Sequence, residues 1–295
     1  MRLVLTLVAA SFDLMQDALP AALEAIAAAG RPVDHMEVLG EGAADLFVEG
    51  ADLAILRARA DRGLERSPVD YCVQKAEGRR KRLLVADMDS TIIGCECLDE
   101  LADFAGLKAE IAAITARAMA GEIAFEGALR ERVGLLAGLD LTALVRTYGE
   151  RVRLNPGAAC LVATMNAHGA RCVLVSGGFD FFTARVARAA GFAAHQANRL
   201  IDDGTRLTGA VAEPILGREA KLAALTEAAA ALGVDLAETL AVGDGANDLS
   251  MIEAAGLGVA YRAKPIVATR ADARIEHTDL TALLYFQGYG QDAFA

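Results

Sequence analysis

Apolar positions along the chain keep two different rhythms, and the change from one to the other divides it. Over roughly the first 75 residues an apolar run (Leu3 to Ala9) leads into a helical stretch (Asp17 to Ala29). Two strand-like pieces (His35 to Leu39, Asp45 to Glu49), a second helix (Ala51 to Arg62) and a last strand (Asp70 to Gln74) follow. That order, βαββαβ, is the ferredoxin-like α+β arrangement. The segment Lys75 to Arg82 is a charge run with one glycine and reads as a solvated linker.

From Leu83 the rhythm changes. Leu83-Leu84-Val85-Ala86 is an apolar run that stops at Asp87, as a buried parallel strand does. Similar runs end at Ser176 (Cys172 to Val175) and at Gly243 (Thr239 to Val242), with helical patterns over Gly157 to His168, Phe181 to Ala190 and Arg218 to Leu232. Such alternation predicts a doubly wound, Rossmann-like α/β sheet, with Asp87, Ser176 and Asp244 at the carboxyl ends of its strands, where ligands bind. The long, nearly all-helical excursion from Cys97 to Leu154 predicts a cap over those ends. Asp203-Gly204, inside Arg199 to Thr208, signals a hairpin. The expected division is an N-terminal α+β unit over 1–80 and an α/β unit over 81–295, capped over about 97–154.

Composition narrows the functional classes. With 295 residues, 54% of them hydrophobic, the chain can bury two cores. A formal charge of -11 argues against a nucleic-acid partner, which draws on clustered Lys and Arg, but leaves a small anionic substrate open. No run of about 18 uncharged apolar residues exists to span a membrane. Leu3 to Ala10 resembles a short signal segment, but one Arg precedes it and Asp13 follows closely, so a buried strand is the better reading. The five cysteines (Cys72, Cys95, Cys97, Cys160, Cys172) are odd in number and lack a disulfide framework, so a reducing, cytoplasmic compartment is expected. Cys95 and Cys97 lack the further ligands of a zinc site, and the four histidines show no metal spacing.

The chemistry sits at the strand ends. In Asp87-Met88-Asp89-Ser90-Thr91, two carboxylates at one strand end can serve one reacting atom, one attacking and the other handling a proton; alone, the pair fits an acid-capped turn equally well. Gly243-Asp244-Gly245-Ala246-Asn247-Asp248 adds two acids and an amide at another strand end. Four converging acids repel unless a cation sits among them, and oxygen ligands beside a phosphate suit Mg²⁺. Ser176-Gly177-Gly178 offers a hydroxyl and backbone N–H groups for an anion. Taken singly, Lys221, Glu96 and Arg132 read as surface charge, and Met119 and Phe125 as a helical core stripe.

In order, Asp87-x-Asp89-Ser-Thr91, Ser176-Gly-Gly, Lys221 and Gly243-Asp244-Gly-Ala-Asn247-Asp248 resemble the four motifs of the haloacid dehalogenase superfamily. Longer strings (Ala118-Met119-Ala120-Gly121, Phe125, Leu129 to Val133, Phe179-Asp180, Ala197 to Leu200) resemble the branch that hydrolyses O-phospho-L-serine, the last step of serine biosynthesis. The resemblance runs from about Arg82 to Leu284; the first 80 residues resemble, by topology alone, the ACT-like domains fused to such enzymes. It implies Asp87 as nucleophile and Asp89 as general acid and then base. It further implies Mg²⁺ held by Asp87, the backbone carbonyl of Asp89 and Asp244, with Asp248 supporting the ligand shell. Ser176, Gly177, Lys221 and Asn247 would surround the phosphate, Glu96 would meet the substrate ammonium, Arg132 its carboxylate, and Met119 and Phe125 would line the cap. The small-molecule substrate is then phosphoserine or another amino-acid phosphate. Transfer of the phosphoryl group to an alcohol such as homoserine instead of water is the nearest alternative. A single-domain signalling receiver does not account for Asp89 and the cap, and GxGxxD lacks the third glycine of a dinucleotide site. For residues 1–80 a binding role is expected, sensing an amino acid or joining two copies of the chain.

Overall fold

The computed structural model describes residues 1–119 and 122–295; the Met119 side chain, Ala120 and Gly121 lie outside the described residues. The chain opens with β1 (Arg2–Ala9), α1 (Phe12–Ala28), β2 (His35–Gly40), β3 (Ala43–Glu49), α2 (Leu53–Leu64) and β4 (Val69–Lys75). The βαββαβ order expected from the sequence is therefore present. One boundary moves: α1 begins at Phe12 instead of Asp17, because Ser11 accepts the Leu14 N–H and caps the helix. β1 lies between β3 and β4. Leu3, Leu5 and Leu7 pack into one core with Met15, Ile26, Leu46 and Leu56, while Val8 belongs to the larger core of the α/β unit. Burial on both faces is why β1 reads as a continuous apolar run.

Next come β5 (Leu83–Ala86) and the cap helices α3 (Cys97–Ala105), α4 (Lys108–Met119), α5 (Phe125–Leu135) and α6 (Thr142–Arg151). α7 (Ala158–Ala167), β6 (Arg171–Phe179), α8 (Asp180–Ala190), β7 (Ala194–Asn198) and the hairpin β8 (Leu200–Asp202) and β9 (Leu207–Val211) follow. The chain ends with α9 (Arg218–Leu232), β10 (Thr239–Gly243), α10 (Leu249–Ala254), β11 (Leu257–Tyr261), α11 (Pro265–Ala268), β12 (Ala273–Ile275) and α12 (Ala282–Phe286). From β12 to β7 the strands are parallel, in the order β12-β11-β10-β5-β6-β7. Successive residues serve opposite faces: Leu84, Ala86, Leu174 and Val242 join one core, Leu83, Val85, Val173 and Ala241 another.

The sheet does not stop where the α/β unit begins. β4 pairs antiparallel with β12 through Tyr71 and Arg274, so the full order is β2-β3-β1-β4-β12-β11-β10-β5-β6-β7. The C-terminal segment straps the seam: Gln74 donates to Phe286 O (2.6 Å), and the Lys81 N–H donates to Gln287 Oε1 (3.0 Å). The charge run before β5 is accordingly solvated only in part: Lys75, Glu77, Gly78, Arg80 and Arg82 are exposed, but Arg79 and Lys81 are tied into the fold. Lys81 is buried, donating to Ala237 O (2.8 Å) and Gly78 O (3.1 Å), and Arg79 reaches the fully buried Asp45 on β3.

Candidate active site

Asp87 follows the last residue of β5, and its N–H donates to Val242 O on β10 (3.0 Å), which carries the ladder one residue past the strand and fixes the side chain at the sheet rim. The next turn, Met88 to Ile92, is closed by the Ile93 N–H on Met88 O (3.0 Å). It swings Asp89 away from Asp87: Asp89 Oδ1 accepts the Cys97 N–H (2.9 Å) and Oδ2 the Ser176 hydroxyl (3.0 Å). The two carboxylates therefore have separate environments, as two separate roles require.

Ser176-Gly177-Gly178 was expected just past a strand, with N–H groups at a helix start. It lies within β6, and α8 begins only at Asp180. Val175 faces Gln196 and Phe179 faces Asn198, so the intervening stretch bulges from the ladder towards the site. Asn198 staples the bulge by donating to Gly177 O (2.9 Å) and Leu216 O (3.3 Å) and accepting the Leu216 N–H (2.7 Å). Space at 178 is tight: an added Cβ would lie 3.0 Å from Ser176 Oγ and 3.1 Å from Asp89 Oδ2, so either side chain would have to give by a few tenths of an ångström.

Lys221, in the first turn of α9, is buried against the same rim. Its Nζ lies 2.5 Å from Asp87 Oδ1 and 2.5 Å from Asp248 Oδ1, while Asp248 Oδ2 accepts the Gly245 N–H (2.9 Å). Asp87, Asp244 and Asp248 offer carboxylate oxygens within 4.8 Å of one another. Burial, and next the Asp248 charge, push Asp87 well above the carboxylate range, and the same two causes raise Asp244. Burial alone would lower the Lys221 ammonium, but Asp87 and Asp248 outweigh it and hold it above its ordinary value. One lysine thus leaves an excess of negative charge on three hard oxygen donors. That donor set fits a hard divalent cation.

A cavity of about 570 Å³ opens above this rim. Of the residues singled out from the sequence, Asp87, Asp89, Glu96, Phe125, Arg132, Ser176, Gly177, Asp244 and Asn247 line it. Lys221 and Asp248 lie beneath, joined to it through Asp87, and the Met119 side chain is outside the described residues. Phe125 starts α5 and stands over Gly177, where an added Cβ would be 3.4 Å from its Cζ. Arg132 donates Nε to Ala128 O of its own helix (3.2 Å), its one side-chain hydrogen bond among the described residues; burial lowers its pKa, with Asp99 and Glu96 opposing. Glu96 stands at the N-terminal boundary of α3 without a side-chain bond to that helix and accepts the Ser90 hydroxyl (2.7 Å); burial, then Asp89 and Asp244, raise it to about 7.

Three contributors were given no role from the sequence, although Thr91 stood in the first motif. Asn198 fell in a matching string without an assigned role. Thr91 donates to Asp244 Oδ1 at 3.4 Å. Lys264, ahead of Pro265, lines the cavity, donates its N–H to Asp244 O (3.0 Å) and holds Asp244 towards the ionised form. A lone Lys before Pro announces only a helix start.

Together these features define a capped α/β enzyme with an acidic rim. A family model described as haloacid dehalogenase-like hydrolase matches residues 84–253, and the chain belongs to that family. The phosphoserine phosphatase of Streptomyces coelicolor is 43% identical over 249 residues, 83% of this chain and 60% of that protein, so the chain spans less than two thirds of that relative. Among solved structures, a HAD family hydrolase from Salmonella enterica serovar Typhi superposes with a TM-score of 0.84 at 27% identity, covering 98% of this chain and 99% of that one. A phospho-aspartyl intermediate analogue of phosphoserine phosphatase gives 0.65 at 39% identity, covering 70% and 99%.

Proposed function

We propose that the chain is a Mg²⁺-dependent phosphoserine phosphatase, hydrolysing O-phospho-L-serine to L-serine and phosphate through an aspartyl-phosphate on Asp87. The observation that carries this reading is the meeting of Asp87, Asp89, Ser176, Glu96 and Arg132 in one cavity, with Lys221 holding Asp87 from below. A relative of 43% identity bearing that activity supports it.

In this reading an Asp87 oxygen attacks phosphorus in line with the serine oxygen, and Lys221 orients that carboxylate. Asp89 protonates the departing serine oxygen. Burial raises its carboxyl, favouring the protonated form an acid needs, although the Cys97 and Ser176 donors limit the rise. After serine leaves, Asp89 takes a proton from the water that attacks the phosphorus of the aspartyl-phosphate. The Ser176 hydroxyl and the bulged backbone receive the phosphate oxygens. Asp87, the Asp89 carbonyl, Asp244 and Asp248 would hold Mg²⁺, which supplies charge neutralisation at the transferring phosphoryl group. Glu96 takes the ammonium and Arg132 the carboxylate; Arg132 has no carboxylate partner among the described ion pairs and keeps most of its fork for a planar anion.

The N-terminal unit, 1–80, is proposed as an ACT-like regulatory or dimerisation domain of a cytoplasmic enzyme. Its edge strand β2, with Met36 and Val38 exposed, supports pairing between copies, and the five free cysteines support a reducing compartment. The test is phosphate release from phosphoserine, phosphothreonine, histidinol phosphate and sugar phosphates, with and without Mg²⁺. Preference for phosphoserine that collapses in Glu96→Ala and Arg132→Ala is expected. Label passing only to an added alcohol would reassign the enzyme to phosphoryl transfer, and indifference to both substitutions would remove the amino-acid specificity.

A further inference from the structure

Ser90 carries a left-handed backbone, φ 58° and ψ -3°, that residues with a β-carbon avoid. Strained positions of this kind persist where their surroundings over-determine them, and they concentrate at working sites. Here the loop is clamped from several sides. The Ser90 N–H donates to Cys95 O (3.3 Å), and Asn155 Nδ2 donates to Thr91 O (2.7 Å). The Cys97 N–H holds Asp89 at the other end. From this conformation the Ser90 hydroxyl donates to Glu96 Oε1 at 2.7 Å, and both residues line the cavity. Glu96 is otherwise a long, solvent-reaching side chain at the open start of α3, with no capping bond to its own helix. Left free, it would lose rotamer entropy on meeting a ligand; tethered through one oxygen, it keeps the other for an ammonium.

We propose that Ser90 is a specificity-determining positioning residue, whose hydroxyl fixes the Glu96 carboxylate so that the site selects phosphomonoesters bearing an ammonium group. The inference rests on the phosphoserine reading above and adds a residue to it. The bland account is that the hydroxyl merely satisfies a loop, in which case its loss is felt by every substrate alike.

The experiment measures kcat and KM for O-phospho-L-serine and for 3-phosphooxypropanoate, which keeps the phosphate and carboxylate but lacks the ammonium. Ser90→Ala is expected to raise KM for phosphoserine roughly tenfold, the scale of one hydrogen bond to a charged group, with kcat within about twofold. KM for the deaminated compound should move by less than about twofold, having no interaction to lose. Ser90→Gly, which relieves the left-handed backbone, should show the same KM rise without a lower melting temperature, separating hydroxyl from conformation. In a Glu96→Ala background the Ser90 change should add nothing. Equal losses on both substrates, an additive effect in that background, or an unchanged KM would overturn the proposal. A wild-type enzyme indifferent to the ammonium would overturn the phosphoserine reading as well, and that shows in the wild-type measurements alone.

Discussion

Lys221 Nζ sits 2.5 Å from Asp248 Oδ1, and both side chains are shut off from solvent, one on α9 and the other just ahead of α10. The same ammonium touches Asp87, so one cation balances two buried carboxylates. Removing it in Lys221→Met strands both, and breaking a buried pair from one side costs about 3–5 kcal/mol. A clear drop in melting temperature is expected in metal-free buffer, shrinking when Mg²⁺ is added. Turnover should fall at least about a hundredfold, because a charge aimed at the reacting group is lost. Calorimetry and phosphate release on the same preparations check both; a variant as stable as wild type without metal would remove Lys221 as the counter-charge.

Asp87 lies at the crowded centre of that group, and its ionised form is disfavoured by burial and by Asp248. Asp87→Asn keeps the shape and deletes the proposed nucleophile and one like charge. Turnover should vanish while the fold stays, and in metal-free buffer at pH 8 the variant should be no less stable than wild type. Rapid acid quenching of wild type with phosphoserine should give a phosphorylated peptide containing Asp87, absent from the Asn variant. Near-normal turnover in Asp87→Asn would exclude the covalent route.

Glu96 sets a pH dependence. Burial, then Asp89 and Asp244, raise its carboxyl from 4.5 to about 7, although its exposure to water tempers the push. An ammonium partner must be ionised, so KM for phosphoserine should climb as pH falls from 8 to 6, with kcat changing less. The folded state holds this proton more tightly than the unfolded chain between about 4.5 and 7. Glu96 therefore favours folding less as pH rises through that window. Glu96→Gln should leave stability unchanged near pH 4 and raise it slightly above pH 7, while flattening the KM profile. An acid limb that survives the substitution at the same midpoint belongs to another group.

Of the parallel strands, β5, β6 and β10 were legible, β5 and β10 because they are buried on both faces and read as unbroken apolar runs ending at Asp87 and Gly243. β11 and β12 were not, since Gly258 dilutes one run and the other, Ala273–Ile275, is three residues long with Arg274 at its centre. Residue type plus order located the rim acids and Lys221, whose burial no local pattern announces. The β6 bulge was invisible because it depends on register against β7, a relation between segments. Arg79 and Lys81 departed from their otherwise exposed run for the same reason: charge density suggests solvent, whereas their partners, Asp45 and Ala237 O, lie far away in sequence.

Arg79 joins the two halves of the sheet in a way that can be measured. Its Nη1 stands 2.6 Å from Asp45 Oδ2, an ion pair whose carboxylate is wholly buried. Asp45 Oδ1 accepts the Thr6 hydroxyl (2.6 Å), and the guanidinium rests where a side chain at Gly288 would collide with it. Burial raises the Asp45 carboxyl, while Arg79 and then Thr6 pull it back. Arg79→Met leaves Asp45 buried with the hydroxyl alone, at a cost of about 3–5 kcal/mol at pH 8 by urea unfolding. Without the arginine the folded-state pKa of Asp45 rises further, so the folded protein binds the proton more tightly than the unfolded chain. The deficit should therefore shrink as pH falls from 8 towards 5. Adding Asp45→Asn should recover part of the loss, because a neutral amide no longer needs a counter-charge, with a coupling energy of about 1–3 kcal/mol. Additive losses in the double variant would mean that Arg79 acts through its packing on Gly288, and that the charge on Asp45 is balanced by other groups.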